Sequence, residues 1–274
     1  MGRIALLQAR TGVDPSANAS ILEAAVAEAA EGGADILFTP EMTNFLDRDR
    51  DRASGTIRPE DEDPLLKVAR RAAMSHAIWI SLGSIALRLD DGKWANRSIL
   101  IDDRGSIVAR YDKMHLFDVD VGTNDRWRES AVYRSGNGLV LAQDTPVGLL
   151  GLSICYDLRF PALFARYADS GAQVVAVPAA FTVPTGEAHW HVLLRARAIE
   201  ASMFIVAAAQ VGTHDDGRTT YGHSLVVDPW GDVLLDMGED EGVGFAQIDL
   251  SRIEDVRARL PAIRHRRSIP PIGD

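Results

Sequence analysis

The sequence predicts an α/β protein in which mixed sheets are covered by helices. Short apolar segments of strand length alternate with longer segments that have helical periodicity. Turn sequences rich in Asp and Gly also separate pairs of apolar segments, as they do in β-hairpins. Helices between strands indicate parallel pairing, whereas hairpins indicate antiparallel pairing. A purely parallel, doubly wound sheet is therefore not expected.

The first 40 residues predict a strand–helix–strand unit. RIALLQA and DILFTP are apolar segments of strand length. Between them, Asp14 and Pro15 suit the N-cap and the first position of a helix, and the Ala-rich segment that follows stops at a glycine pair. The segment PLLKVARRAAMSHA then predicts a second helix, which leads into the strand IWISLGSIALRL.

Three turn sequences predict hairpins in the rest of the chain: DDGK at 90–93, DDRGS at 102–106 and DPWGD at 228–232. Further helices are expected at about 160–170, 186–201 and 251–259. Linkers, repeats and low-complexity stretches do not interrupt the sequence. One domain over residues 1–274 is therefore expected.

The composition limits the classes of partner. A net charge of −10 argues against nucleic acid and anionic membranes as partners. The single cysteine excludes an internal disulfide and suits a reducing compartment. The N-terminal apolar run is too short for a signal peptide, and the apolar stretch at 203–211 is too short to span a bilayer. A cytoplasmic protein is expected.

Cys155 lies where an apolar strand is expected to end, with a helix beginning near Leu158. A strand-to-helix turn exposes a side chain at the sheet edge and sets it near a helix N-terminus, and both effects favour a thiolate. A lone cysteine after an apolar run is nevertheless more often a packing residue. Ser153 is a second nucleophile candidate, because GLSIC resembles a G-x-S-x-G turn.

Two charged residues also follow apolar strands. Glu41 comes after DILFTP, and Lys113 comes after IVARYD. Taken alone, each charged residue is most simply interpreted as the solvent-exposed end of a strand. Together with Cys155 they form a Glu/Lys/Cys set at strand ends, where the sites of α/β proteins collect.

The histidines do not indicate a metal site. His189 and His191 lie one residue apart in the expected helix 186–201 and therefore point to different faces, and neither a thiolate partner nor an H-E-x-x-H pattern accompanies them. A phosphate-binding glycine loop and a dinucleotide fingerprint are also missing from the sequence. Neither a metal nor an organic cofactor is expected.

The segments TPEM, YDKMHLFDVDV and CYDLRFPALF, taken together, resemble the three signatures of the nitrilase superfamily of carbon–nitrogen hydrolases. The likeness extends over nearly the whole chain. FTVPTGEAHWHVLLRARAIE, the segment around YGHSLVVDPWG, and LPAIRHRRSIP resemble the deaminated glutathione amidase branch, with the omega-amidases close by. This resemblance favours a nucleophilic Cys155 over a packing residue.

The resemblance implies an α-β-β-α sandwich of two mixed sheets that forms a homodimer. It implies that Glu41 is the general base, Lys113 the oxyanion stabiliser and Cys155 the nucleophile of a Glu-Lys-Cys triad. Glu129 matches a second glutamate, and the backbone N–H of Tyr156 is expected to assist the oxyanion. Two nearby carboxylates in a dry site are expected to raise the pKa of a glutamate. Ala162 departs from the pattern, since many relatives carry Glu there.

The implied reaction is hydrolysis of an amide through a Cys thioester, and deaminated glutathione is the expected substrate. Because such a small-molecule amide is anionic and the protein is acidic, a local cationic pocket is expected. The substrate-binding candidates are Arg159, Arg195, Arg197, His189 and Phe181.

Several alternatives share the same site residues. An omega-amidase would release ammonia from 2-oxoglutaramate or succinamate, an N-carbamoyl hydrolase would also release CO2, and a nitrilase would begin from C≡N. A protein that keeps the fold only to bind a partner is the non-enzyme alternative. The basic segment RLPAIRHRR belongs to a tail, about 260–274, that is expected to contact the partner subunit.

Overall fold

The computed structural model describes residues 2–120, 126–270 and 272. The part of the chain described contains helices with the following bounds: α1 (Pro15–Glu31), α2 (Arg50–Thr56), α3 (Pro64–His76), α4 (Pro161–Asp169), α5 (Val183–Ala201) and α6 (Ser251–Arg259). Short 3₁₀ turns lie at Glu129–Ala131, Cys155–Arg159 and Ala262–His265.

Two six-stranded sheets form the centre of the molecule. The first has the order β16-β1-β2-β3-β4-β5, with β1 (Gly2–Gln8), β2 (Ile36–Phe38), β3 (Trp79–Arg88), β4 (Trp94–Ile101), β5 (Ile107–Asp112) and β16 (Gly242–Ile248). The second has the order β15-β14-β11-β10-β9-β8, with β8 (Leu141–Thr145), β9 (Gly148–Leu152), β10 (Val174–Ala176), β11 (Phe204–Ala207), β14 (Leu225–Val227) and β15 (Val233–Asp236). Both sheets combine parallel and antiparallel pairs.

Two short ribbons stand apart from these sheets. One pairs β6 (Asp118–Asp120) with β7 (Arg126–Arg128), and the other pairs β12 (Val211–Thr213) with β13 (Thr219–Tyr221). Both pairs are antiparallel.

Alternation along β1 shows how the layers pack. Ile4 and Leu6 point into the core shared with the second sheet, whereas Ala5 and Leu7 point to the core under α1 and α3. Successive side chains of a strand face opposite sides, so a strand that is apolar throughout is buried on both faces. The helices α4 and α5 cover the outer face of the second sheet. The predicted four-layer α-β-β-α sandwich of mixed sheets is confirmed.

The helices and hairpins predicted from the sequence are present in the structure, and some of them begin at a different residue than predicted. The three predicted hairpins join β3 to β4, β4 to β5 and β14 to β15. The prediction that a helix begins near Leu158 is wrong, because a 3₁₀ turn continues to Arg159 and α4 begins at Pro161. α5 begins three residues earlier than predicted, and α2 was not predicted.

The C-terminal tail folds back on its own chain. The Arg266 guanidinium bonds the Ala165 carbonyl and Asp169 at the end of α4, and it also reaches the Glu200 carbonyl on α5. Residues 271, 273 and 274 of the predicted tail lie outside the described residues. Among the described helices, none combines the length and the apolar character needed to cross a bilayer.

Gly83 on β3 holds the segment that carries Glu41. Its N–H donates to the Thr39 hydroxyl at 2.9 Å. A Cβ at this position would stand 1.9 Å from the Thr39 carbonyl oxygen and 2.5 Å from that of Pro40. Both neighbours are main-chain atoms, so the strand could accept a larger residue only by moving the backbone that leads into Glu41.

We expect Gly83→Ala to destabilise the protein by about 3 kcal/mol, because overpacking against backbone cannot be relieved by a side-chain rotation. The shift of Thr39 and Pro40 should also displace Glu41. Urea unfolding followed by circular dichroism measures the effect. Gly55→Ala in α2 is the matched control, since a Cβ there meets no atom within 4 Å and alanine favours the helix. Equal stability of the two variants would contradict the account.

Candidate active site

Cys155 is the first residue of the 3₁₀ turn that follows β9. It has the left-handed backbone conformation, with φ 48°, and its N–H donates to the Pro178 carbonyl at 2.8 Å. This conformation is uncommon for a residue with a side chain and marks a strained turn. Ser153 is instead completely buried, and its hydroxyl donates to the Ala176 carbonyl at 2.7 Å. Of the two nucleophile candidates, only Cys155 faces a cavity.

A buried carboxylate fixes the turn that presents Cys155. Asp157 accepts hydrogen bonds from the Ile154 N–H at 2.9 Å and from the Tyr111 hydroxyl at 2.7 Å. It also accepts from the backbone N–H of His115, whose ring stacks on Phe160 with centroids 3.6 Å apart. The turn is thereby tied to the chain segment that follows β5.

Three charged side chains meet beside Cys155. The Lys113 ammonium lies 2.9 Å from Glu41 Oε1 and 2.9 Å from Glu129 Oε2. Side-chain exposure is 3% for Lys113, 6% for Glu41 and 11% for Glu129. The structure therefore brings together the Glu, Lys and Cys that follow three strands in the sequence, and it places beside them Glu129, which the family resemblance had indicated.

Asn96 and two backbone amides complete this cluster. The Asn96 side-chain amide donates to Glu41 Oε1 at 2.9 Å and to Glu129 Oε1 at 3.2 Å. The Ala180 N–H donates to Glu41 Oε2 at 3.0 Å, and the Phe117 N–H donates to Glu129 Oε2. Each carboxylate is thus held by an amide side chain, a backbone N–H and a shared cation. Sequence reasoning missed Asn96, which lies inside β4 and belongs to no recognised motif.

The shared cation sets the charge state of Glu41. Burial acts to raise the pKa of Glu41, but the charge of Lys113 and hydrogen bonds to Lys113, Cys155 and Asn96 outweigh it and hold the pKa below 4.5. The expectation of a raised glutamate pKa is therefore wrong, because the ammonium favours the charged carboxylate. Burial also acts to lower the pKa of Lys113, but Glu129, Glu41 and Cys155 hold it well above its ordinary value.

The pKa of the Cys155 thiol is shifted in the opposite direction from that of Glu41. Burial, followed by the charge of Glu41, raises its pKa well above 9.0, although Lys113 and the Ala180 N–H oppose the shift. The expectation that the turn favours a thiolate is wrong, because the buried sulfur lies against a carboxylate. The directions of these two shifts favour a neutral thiol beside a charged Glu41 at neutral pH.

These groups form the floor of a cavity of about 420 Å³. Of the described residues, five arginines line it, namely Arg48, Arg50, Arg128, Arg159 and Arg218, together with the aromatic side chains of Phe45, Trp94, Phe117, Trp127, Tyr133, Tyr156 and Phe181. Among the described residues, three carboxylates line it, those of Glu41, Asp47 and Glu129. The described lining of the cavity is therefore cationic in a protein of net charge −10, in line with the cationic pocket predicted from the sequence.

Arg159 lies in the same turn as Cys155 and lines the cavity. No carboxylate of the described residues pairs with it, and both terminal nitrogens instead lie 3.3 Å from His189 Nδ1. Its guanidinium packs over the rings of Phe181 at 5.5 Å and Tyr156 at 6.0 Å. Arg159, Phe181 and Tyr156 line the cavity, and His189 supports Arg159 from α5.

Arg195 and Arg197 do not line the cavity, so the structure contradicts their selection as substrate contacts. Arg195 Nε donates to the Gly231 carbonyl at 2.8 Å. Arg197 is buried, donates to the Leu158 carbonyl at 3.0 Å and pairs with Glu200 at 2.8 Å. Both arginines join α5 to neighbouring segments, which sequence position alone did not reveal.

A second pair of arginines lies on another side of the cavity. Arg218 and Arg48 lie over the Trp127 ring at 4.9 Å and 5.6 Å. Both approach Asp216, which Arg218 meets at 2.6 Å and Arg48 at 3.8 Å. Two cations share one carboxylate, so this side of the cavity retains positive charge. No sequence pattern indicated this pair, because its members come from loops that are far apart along the chain.

Comparison with known proteins identifies the family. The sequence model of the carbon–nitrogen hydrolase family matches residues 3–258. The chain is 42% identical to deaminated glutathione amidase of Mus musculus, over 88% of this chain and 76% of that protein. It is 38% identical to deaminated glutathione amidase of Yersinia enterocolitica, over 97% of this chain and 93% of that protein.

A solved structure agrees with these sequence matches. The nitrilase and fragile histidine triad fusion protein NitFhit of Caenorhabditis elegans superimposes with a TM-score of 0.89 at 39% identity, over 97% of this chain and 66% of that structure. The chain spans 60% of the full NitFhit sequence. This chain therefore belongs to the carbon–nitrogen hydrolase family within the nitrilase superfamily, and it is an enzyme.

Proposed function

We propose that this enzyme is an amidase that hydrolyses deaminated glutathione to 2-oxoglutarate and cysteinylglycine through a thioester on Cys155. The observation that carries the proposal is the buried ion pair of Lys113 and Glu41, 2.9 Å apart, which lines the same cationic cavity as Cys155. The names and identities of the two amidase relatives support the substrate. No cofactor takes part in this reaction.

In the acylation step, Glu41 accepts the thiol proton as Cys155 Sγ attacks the amide carbonyl carbon. The Lys113 ammonium and the Tyr156 N–H stabilise the oxyanion, and a single such donor contributes about 3 kcal/mol. Tyr156 is the second residue of its 3₁₀ turn, where backbone N–H groups lack an acceptor within the turn. Protonated Glu41 then gives its proton to the nitrogen as the C–N bond breaks, so cysteinylglycine leaves as a neutral amine.

In the deacylation step, water attacks the thioester carbonyl. Glu41 takes one proton from this water, and the same donors hold the second oxyanion. The C–S bond breaks, 2-oxoglutarate leaves, and Glu41 returns the proton to sulfur. The enzyme is thereby restored with a neutral thiol and a charged Glu41.

Glu129 is a positioning residue in this proposal. It pairs with Lys113 and accepts from Asn96 and the Phe117 N–H. These contacts direct the ammonium toward Glu41 and supply a second negative charge that keeps Lys113 protonated. Glu129 therefore exchanges no proton with the substrate.

The cavity suits a substrate that is anionic at both ends. We place the carboxylate of the 2-oxoglutaryl group on Arg159, close to Cys155, because that arginine has no carboxylate partner among the described residues. We place the carboxylate of the cysteinylglycine group against Arg218 and Arg48, on the other side of the cavity. Guanidinium groups bind carboxylates through two parallel hydrogen bonds, which fixes orientation as well as charge.

The test compares kcat/KM for deaminated glutathione, 2-oxoglutaramate and succinamate, with products identified by mass spectrometry. Deaminated glutathione should be preferred by tenfold or more. Arg159→Lys should lower kcat/KM at least tenfold, because an ammonium cannot replace the bidentate contact. Cys155→Ala should hydrolyse nothing, and Ser153→Ala should keep its activity.

Other products would identify another reaction. Preference for a short primary amide with release of ammonia would indicate an omega-amidase, and release of CO2 would indicate an N-carbamoyl hydrolase. Conversion of a C≡N group would indicate a nitrilase. Full activity of Cys155→Ala would refute the thioester mechanism, and no turnover of any substrate would favour a partner-binding protein.

We also propose a single-domain, cytoplasmic homodimer. An apolar surface on the second-sheet side supports the dimer: Val192 and Ile199 lie seven residues apart on α5 and are 67% and 43% exposed, and Trp230 in the β14–β15 turn is 45% exposed. Val192 and Ile199 share one face of the helix, and the Gly231 backbone lies against Ile199. Exposed apolar patches of this kind mark interaction surfaces.

Light scattering should show a dimer at micromolar concentration. Deletion from Pro261 onward should weaken the dimer, because it removes the tail that Arg266 fastens to α4 and α5. The variant Arg48→Ala, far along the chain from this tail, is the control and should remain dimeric. A monomeric wild-type protein with full activity would contradict the proposal.

A further inference from the structure

Two histidines and an aspartate meet on the surface away from Cys155. His191 Nε2 lies 2.9 Å from Asp236 Oδ2, and His223 Nδ1 lies 2.9 Å from Asp236 Oδ1. The ligand atoms of all three side chains lie within 4.8 Å of one another. They come from α5, from the connection between β13 and β14, and from the end of β15. We propose that His191, His223 and Asp236 bind one Zn²⁺ ion.

The donor set suits zinc. Two neutral imidazoles and a carboxylate are common ligands of Zn²⁺, at about 2.0–2.2 Å from the metal. An ion between the three side chains would need only small movements, since each imidazole nitrogen already points at the carboxylate. Side-chain exposure of 32% for His191 and 34% for Asp236 leaves room for a water molecule as fourth ligand.

The ligands are held by surrounding groups, as metal ligands usually are. The His223 ring stacks on Tyr221 with centroids 4.4 Å apart, and the backbone N–H of His223 donates to the Gly238 carbonyl at 2.7 Å. The Gly238 N–H in turn donates to Asp236 Oδ1 at 3.0 Å. The carboxylate and one imidazole are therefore oriented by contacts that zinc binding would keep.

The local charge also favours a cation. Glu187 lies four residues before His191 on the same face of α5. Glu239 follows Gly238, whose N–H donates to Asp236 Oδ1. Arg195, one turn beyond His191, directs its Nε to the Gly231 carbonyl. Two further carboxylates thus lie on the segments that carry His191 and Asp236, and the nearest arginine of that helix is engaged elsewhere.

Zinc at this site would join three separate elements of the fold. α5 starts just after Phe181 and Thr182, which line the cavity, and the Tyr221 N–H donates to the Phe181 carbonyl at 3.0 Å. The ion would therefore stabilise the wall of the cavity that includes Phe181. It takes no part in the proposed hydrolysis.

Isothermal titration calorimetry of the full chain with ZnCl₂, after treatment with EDTA, tests the site. All proteins carry Cys155→Ala, which removes the competing thiol without touching the proposed ligands. We expect one Zn²⁺ per chain with micromolar or tighter affinity. Adding His191→Gln or Asp236→Asn to this parent should weaken binding at least tenfold. Adding His76→Ala, which changes an exposed side chain at the end of α3, should leave binding unchanged.

Two further readouts identify the ligands. Co²⁺ should give the visible absorption of a tetrahedral nitrogen–oxygen site, and Zn²⁺ should raise Tm by about 5 °C in the parent protein but not in His191→Gln. Absence of saturable binding would overturn the proposal and leave a metal-free His–Asp–His hydrogen-bonded bridge. Equal affinity in parent, His191→Gln and Asp236→Asn would overturn it as well. Neither result depends on the amidase proposal.

Discussion

The structure of the candidate site depends on one buried ammonium group shared by two carboxylates. Lys113 lies 2.9 Å from both Glu41 and Glu129, and all three side chains are almost fully removed from solvent. Buried charges are costly unless they are paired and hydrogen-bonded, and removal of one partner leaves an uncompensated charge that costs about 3–5 kcal/mol. Asn96 and two backbone amides supply the remaining hydrogen bonds. The cluster is therefore stable only when it is complete.

Both central sheets contribute residues to this cluster and to Cys155 beside it. Glu41 and Lys113 follow strands of the first sheet, Asn96 lies within it, and Cys155 follows a strand of the second sheet. The two sheets face each other across one core, so residues at their strand ends can meet between them. The left-handed conformation of Cys155, fixed by the buried Asp157, then turns the thiol toward Glu41.

Residues at strand ends could be predicted from the sequence, whereas contacts between distant loops could not. Glu41, Lys113 and Cys155 each follow an apolar run, so local patterns located them. Asn96 carries no such signal, since its role depends on the register of β4 with its neighbours. His191, His223 and Asp236 also come from three separate elements. The pKa of Glu41 is lowered by its contact with Lys113, and the pKa of Cys155 is raised by burial and by Glu41, and no sequence pattern reveals these contacts.

The central claim is that this ion cluster keeps Glu41 charged beside a neutral thiol, so that Glu41 can take the Cys155 proton. The pH dependence of iodoacetamide alkylation, followed by intact protein mass, tests it most directly. Because the pKa of Glu41 lies below 4.5 and that of Cys155 well above 9.0, the wild-type rate should be flat between about pH 6 and 8. In Glu41→Gln only preformed thiolate can react, so the rate should be lower and should rise about tenfold per pH unit, as it does for ordinary thiols. The same steep rise in both proteins would contradict the account.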